Sequence, residues 1–254
     1  MTFLRLLTVA ALLFFTGCSQ EPPKTMLPAI AVPVDSTTIH PWLAELLEAD
    51  VGEVTSALEK RMSVQSVNDI EPLASVLRTF VPCRIEFSRG IGYVLCVKRK
   101  TGGRPTGDVT DQLYFAQPLP EDVIQERVAY FEESTRPLMA EFTRRFAGCG
   151  EEMEGHAGQF VMMHDAKASD IAYYEPEKLG EWRDARLLYS ARNGDSVFIN
   201  KSGGTAWHVF ETNEIAPLFD TFPEFIKHYA EFRKSPEVFD SWASRESLGR
   251  NPWK

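Results

Sequence analysis

Basic side chains are in the minority in this 254-residue chain, 27 against 36 acidic ones; cysteine occurs only four times; and one long apolar run is all the sequence offers. Each shortage excludes something. The excess of acid is repelled by nucleic-acid phosphates and by anionic lipid surfaces, which argues against a nucleic-acid partner. No Cys-x-x-Cys occurs, so neither a zinc ribbon nor a thioredoxin-like redox centre is suggested. The run from Leu6 to Phe15 falls well short of the roughly 20 apolar residues that a bilayer-spanning helix needs. There is no Gly-x-Ser-x-Gly elbow, no phosphate loop and no His-Glu-x-x-His, and Gly90-Ile91-Gly92 lacks the third glycine that dinucleotide sites use. No cofactor is implied, and no internal repeat is found.

What is present begins with Arg5, the uncharged run Leu6 to Phe15, and the small pair Thr16-Gly17 before Cys18. A positive end, an apolar stretch and small residues at a cut make a signal peptide, residues 1–17. Phe15-Thr16-Gly17-Cys18 resembles the bacterial lipobox, with Phe15 where leucine is usual. That resemblance implies a lipoprotein: Cys18 is acylated, palmitate among its chains, and becomes the first residue of the mature protein. Several chains on one cysteine hold durably, whereas one binds only marginally. Ser19 after the cysteine implies the outer membrane if the cell has one. The expected address is therefore the bacterial cell envelope, reached through a lipid anchor.

Removal of residues 1–17 takes away one arginine and no acid, leaving a formal charge of −10. Residues 18–39 form a proline-rich segment, with Pro22, Pro23, Pro28 and Pro33 within a fifteen-residue span. Proline fixes φ and removes donors, so this stretch reads as an extended, semi-rigid tether.

Residues 40–116 read as helices followed by a hairpin. Pro41 suits a first helical position, and Trp42, Leu43, Leu46 and Leu47 form an apolar stripe. Asp50 with Glu53, and Asn68 with Glu71, make acidic variants of the capping box ahead of further stripes that end at Met62 and Phe80. The period then changes to two, through Ile85 and Phe87 and again through Gly92, Val94 and Cys96. A two-residue turn at Arg89-Gly90 would place Cys83 opposite Cys96 at a non-hydrogen-bonded site, where side chains approach most closely. The pair is then either a disulfide or two buried thiols. The basic cluster Lys98 to Arg104 reads as a solvated loop at a strand end, or as an anion or partner site.

From residue 117 the pattern gives a helix around Ile124, Val128 and Phe131, and a second from Pro137 to just before Gly148. A strand-like Gln159 to Met163 follows, then strands at 185–191, 196–200 and 205–210 with turns at Asn193-Gly194-Asp195 and Lys201 to Gly204. A last helix carries Phe222, Phe225, Ile226 and Tyr229, and residues 234–254 form a C-terminal tail.

This order, carried by Pro137, Phe142, Phe146, Gly148, the segment Asn193 to Asn200 and the closing Phe222-Pro223-Glu224-Phe225-Ile226, resembles the SUKH superfamily over roughly residues 118–233. The superfamily includes many bacterial toxin-immunity proteins. The resemblance implies an α+β fold, helices packed on a twisted, mainly antiparallel sheet, here with an extra N-terminal helical and hairpin region. It also implies binding of a protein partner, which the lipid address would put outside the cytoplasm.

Chemistry-bearing residues are sparse. Glu151, Glu152, Glu154 and His156, with His164-Asp165 beyond, make either a solvated acidic loop or a site for a divalent cation or acid-base work. His208 and His228 read as packed or surface histidines. Tyr173, Tyr174, Trp182 and Trp207 are candidates for a recognition surface, since aromatics are enriched at binding hot spots, and equally for the core. The leading expectation is a membrane-tethered, non-catalytic protein-binding lipoprotein; the alternatives are a cell-envelope hydrolase or metal-dependent enzyme, and a purely structural lipoprotein.

Overall fold

The apolar stripes at the start of the chain become three short helices: α1, Pro41–Leu47; α2, Val51–Met62; and α3, Glu71–Leu77. The computed structural model describes residues 39–62, 68–88, 92–99, 111–153, 156–161, 166–171 and 176–234. The expected signal peptide, the expected tether up to residue 38 and the C-terminal segment after Lys234 lie outside them. His40 caps α1, its Nδ1 accepting from the Trp42 amide. The predicted capping box at Asp50 and Glu53 is reciprocal: each carboxylate accepts from the other residue's amide, at 2.9 and 2.8 Å. The second predicted box does not open its helix, because Asn68–Ile70 forms a 3₁₀ turn and α3 starts only at Glu71, with Ile70 as an uncapped N-cap. Phe80 belongs to the first strand and not to a helical stripe.

Nine strands follow, β1 Phe80–Ser88, β2 Gly92–Arg99, β3 Gln112–Ala116, β4 Gly150–Met153, β5 His156–Phe160, β6 Arg186–Ala191, β7 Ser196–Ile199, β8 Thr205–Val209 and β9 Glu214–Phe219. Among the described residues they make one antiparallel meander in chain order, with β1 and β9 at its edges. The fold is α+β. Helices α4 (Glu121–Val128) and α5 (Arg136–Phe146) intervene between β3 and β4, and α7 (Phe222–Lys234) is the last element among the described residues. Residue 117 marks no break in the fold, since β3 pairs with β2 on one side and β4 on the other, and α3 packs on α7.

The larger core lies between one face of the sheet and helices α1–α5 and α7. Phe142 is at its centre, with edge-on contacts to Phe160 and Phe222 at 5.2 and 4.9 Å and a tilted contact to Phe146. A smaller cluster on the opposite face joins Phe198 and Ala206 to Leu179 and Trp182 of the 3₁₀ segment Pro176–Asp184 and to Ala168 of the short helix α6, Ala168–Ile171. Strand β7 is therefore buried at every position, Val197 and Ile199 inward to one core and Phe198 to the other, and after Ser196 its sequence is apolar without alternation.

The tight turns are held by side chains. Asn200 Oδ1 accepts from the Ser202 amide and hydroxyl and from the Gly204 amide, at 3.1, 2.9 and 2.8 Å. In the β6–β7 turn Gly194 has φ +95°, and a Cβ there would stand 2.8 Å from the Phe210 ring, so glycine is required on both counts.

Truncation of the central ring tests this architecture. Phe142→Ala is expected to lose about 3–5 kcal/mol of unfolding free energy in a denaturant titration. A loss under about 1 kcal/mol would mean that the core is not organised around this ring.

Candidate functional site

Strand β4 has the sequence Gly-Glu-Glu-Met, with nothing in it that resembles a core strand. Pairing decides which glutamate turns inward. Glu151 lies in a row with Leu113 of β3 and Gly158 of β5, and Leu113 faces the larger core, so the Glu151 carboxylate enters that core with 1% of its side chain exposed.

Three elements converge on it. Gly158 has no side chain, which lets Tyr189 of β6 reach across β5 and donate its hydroxyl to Glu151 Oε1 at 2.5 Å. A Cβ on Gly158 would sit 1.9 Å from that hydroxyl oxygen. The stripe Phe222, Phe225, Ile226, Tyr229, Arg233 along α7 has helical spacing, and its last two members bring a hydroxyl and a guanidinium to the same place. Tyr229 donates to Glu151 Oε2 at 2.6 Å, and Arg233 Nε lies 3.4 Å from that same oxygen. Arg233 Nη2 donates to Asp111 Oδ1 at 2.7 Å; Arg99 Nε donates to Asp111 Oδ2 at 2.7 Å, and Arg99 Nη2 to the Arg233 carbonyl at 2.5 Å. Both guanidinium groups lie over the ring of Phe80, at 4.7 and 5.5 Å from its centroid. Two carboxylates and two guanidinium groups thus form a balanced set inside the protein.

Burial opposes the Arg233 cation, but Glu151, Tyr229 and Asp111 outweigh it and hold the guanidinium protonated more firmly than usual. Burial, reinforced by the Glu151 charge, pushes the Tyr229 hydroxyl well above its ordinary value. Cys149, two residues before Glu151, is pushed up to about 12 by the same two causes, with Arg233 and Arg61 pulling the other way. A cavity of about 10 Å³ between Leu73, Leu113, Phe160 and these three side chains has room for about one water molecule. Arg61 of α2 lies beside this cluster, over the Trp42 ring at 4.4 Å, its Nη1 donating to the Ala116 carbonyl at 3.2 Å. Burial lowers it to about 10. Both oxygens of Glu151 are engaged by named donors, so this carboxylate fastens β4, β6 and α7 together and is not presented to solvent.

The predicted site residues are thus redistributed. Glu151 leaves the expected acidic loop for the core, because β4 and β5 form a hairpin there. Glu152 lies on β4 and His156 starts β5; Glu154, His164 and Asp165 are outside the described residues. Among the described residues no cluster of three or more His, Cys, Asp or Glu is placed to hold a metal ion. Trp182 and Trp207, candidates for a recognition surface, are instead 7% and 2% exposed and pack in the two separate cores, since Ala206 and Trp207 alternate across β8. Tyr173 and Tyr174 lie outside the described residues. His208 is buried, pairing through Nε2 with Asn213 Oδ1 at 2.8 Å, and His228 stacks on Phe219. Arg99, assigned to a solvated basic loop, is drawn inward by Asp111.

The hairpin differs from expectation in one residue. Ser88 pairs with Gly92, so three residues and not two link the strands; Arg84 stands opposite Cys96, and Cys83 is the extra residue of a bulge. Cys83 and Cys96 are free thiols in this structure. No family model, curated protein or solved structure matches the chain.

Sequence reading missed Tyr189, Tyr229, Arg233, Asp111 and Gly158 as a group. One signal was available: Arg233 continues the apolar stripe of α7, and a charge at a core position needs an internal partner.

Two measurements test the site. Gly158→Ala is expected to cost about 1–3 kcal/mol by overpacking Tyr189, and its cost should shrink in a Tyr189→Phe background; strict additivity would show that the two residues do not meet. Cys149 and Tyr229 have ordinary values of 9.0 and 10.0 and are both raised in the fold. Above 9.0 the unfolded chain therefore binds fewer protons than the folded one, and stability that is intact below that value is lost as pH rises towards 12. Denaturant midpoints should fall between about pH 9 and 11, and less so in Cys149→Ala; a flat profile would contradict the burial.

Proposed function

We propose that the protein is a lipid-anchored, non-catalytic protein-binding module of the bacterial cell envelope, immunity-like in the sense that its SUKH-like segment at residues 118–233 meets a partner outside the cytoplasm. The anchor rests on the order Arg5, Leu6 to Phe15, Gly17 and Cys18, which supports cleavage before Cys18 and acylation of its thiol.

The observation that carries the binding reading is Phe210. This ring is 52% exposed at the β8–β9 turn, yet it is held in place: it lies on Gly194, and its amide donates to Asp195 Oδ1 at 2.9 Å. An exposed aromatic that is already ordered costs little entropy to bury, which is the property of an interface anchor. Phe210 takes the role that Trp182 and Trp207 cannot fill.

Detergent phase partitioning tests the anchor: wild type should enter the detergent phase and Cys18→Ala the aqueous one, and wild type in the aqueous phase would overturn it. For the surface, a photo-crosslinking residue at position 210 in cells should give a discrete higher-mass adduct. Absence of any adduct at 210 would remove Phe210 as the anchor of an interface.

A further inference from the structure

The β1–β2 hairpin carries the arrangement that leads beyond the binding reading. Pro82 pairs with Val97 and Arg84 with Cys96, so Cys83 is inserted between them, and at a bulge two residues of one strand face a single residue of the other. The Cys83 thiol donates to the Cys96 carbonyl at 3.3 Å. Leu95 and Val97 turn into the larger core, which puts the Cys96 side chain on the face it shares with its partner Arg84 and with Glu86. Arg84 spans this small polar patch: its Nε donates to Glu86 Oε2 at 2.6 Å, and its Nη1 lies 3.9 Å from Cys83 Sγ.

From this geometry we infer that Cys83 and Cys96 are a redox pair, closing to a cross-strand disulfide when the protein meets a small-molecule or protein disulfide as oxidant. Cys83 is half-buried and Cys96 fully buried, so Cys83 is the entry point. Its sulfur attacks the incoming disulfide and displaces one thiol; Cys96 then attacks the Cys83 sulfur of the mixed disulfide and displaces the second. Two S–H bonds are exchanged for one S–S bond in the protein, and the two electrons and two protons leave as two thiols of the oxidant. Cys149, enclosed beside Glu151 in the interior, stands apart from this chemistry.

Burial raises both thiols, and Arg84 partly counteracts this at each. Little thiolate is present at neutral pH, so the exchange is slow there and speeds up as pH rises. Once formed, the bond ties the bulged edge strand to its neighbour.

The test uses the purified mature protein in detergent, its Cys18 thiol blocked by the acyl chains of the proposed function, incubated with oxidised glutathione, then denatured and labelled with a maleimide for mass measurement. One label is expected, on Cys149, rising to three after reduction. Cys149→Ala should carry none before reduction and two after. The oxidised wild type should also show a higher denaturant midpoint than the reduced form, a shift absent from Cys83→Ser. Three labels after oxidised glutathione would overturn the inference, as would a glutathione adduct on Cys83 that Cys96 never resolves. A protein that carries one further label before and after reduction, on an unblocked Cys18, and partitions into the aqueous phase would retire the lipid anchor and leave the redox pair standing.

Discussion

A carboxylate with no access to water has to be met by donors from somewhere, and the position of Glu151 therefore dictates the position of much else. Taking one ion out of water costs several kcal/mol, which is repaid only when good geometry and further hydrogen bonds accompany the opposite charge. Here the donors are Tyr189 on β6 and Tyr229 and Arg233 on α7, while Asp111 and Arg99 complete the charge balance from the edges of β3 and β2. A glycine at 158 follows from this requirement, and so does an aromatic face at Phe80 for the two guanidinium groups.

The same constraint joins the two halves of the chain. The N-terminal helices and hairpin contribute Arg99, Arg61 and half of the apolar wall; the chain from residue 117 onward contributes Glu151, Tyr229 and Arg233. The N-terminal region is thus part of one core with the segment that follows.

Much of this was legible in the sequence, for identifiable reasons. Helix stripes such as Leu43 with Leu46, the reciprocal box at Asp50 and Glu53, and the turns around Gly194 and Gly203 rest on local rules, and local rules survive folding. Strand β4 was illegible because Gly-Glu-Glu-Met has no apolar alternation, and β9 because Pro217 interrupts it; an edge strand tolerates a residue that cannot donate. Which of two adjacent glutamates turns inward depends on the pairing partner, which is information from elsewhere in the chain. Trp182 and Trp207 show the converse, since aromatic residues serve cores and interfaces equally: Trp207 lies on a strand covered on both faces, and Trp182 on the segment that covers one of them. The one-residue difference in the β1–β2 link shifted every pairing between Ser88 and the bulge, and the extra residue Cys83 restored the expected register beyond it, while both cysteines stayed on adjoining strands.

The meander has a consequence for the order of events as the chain is made. Each strand pairs with the one before it, so the sheet can be laid down step by step as the polypeptide emerges, across short links except between β3 and β4 and between β5 and β6. The closing contacts are of another kind: Arg233 reaches back 122 residues to Asp111, and Arg99 forward 134 residues to the Arg233 carbonyl. Until the last helix arrives, Glu151 lacks both Tyr229 and its cation, and the wall that α7 supplies is missing. Nine strands can therefore be synthesised while the molecule stays uncommitted, and a handful of residues near the end of the chain decides when the fold becomes final.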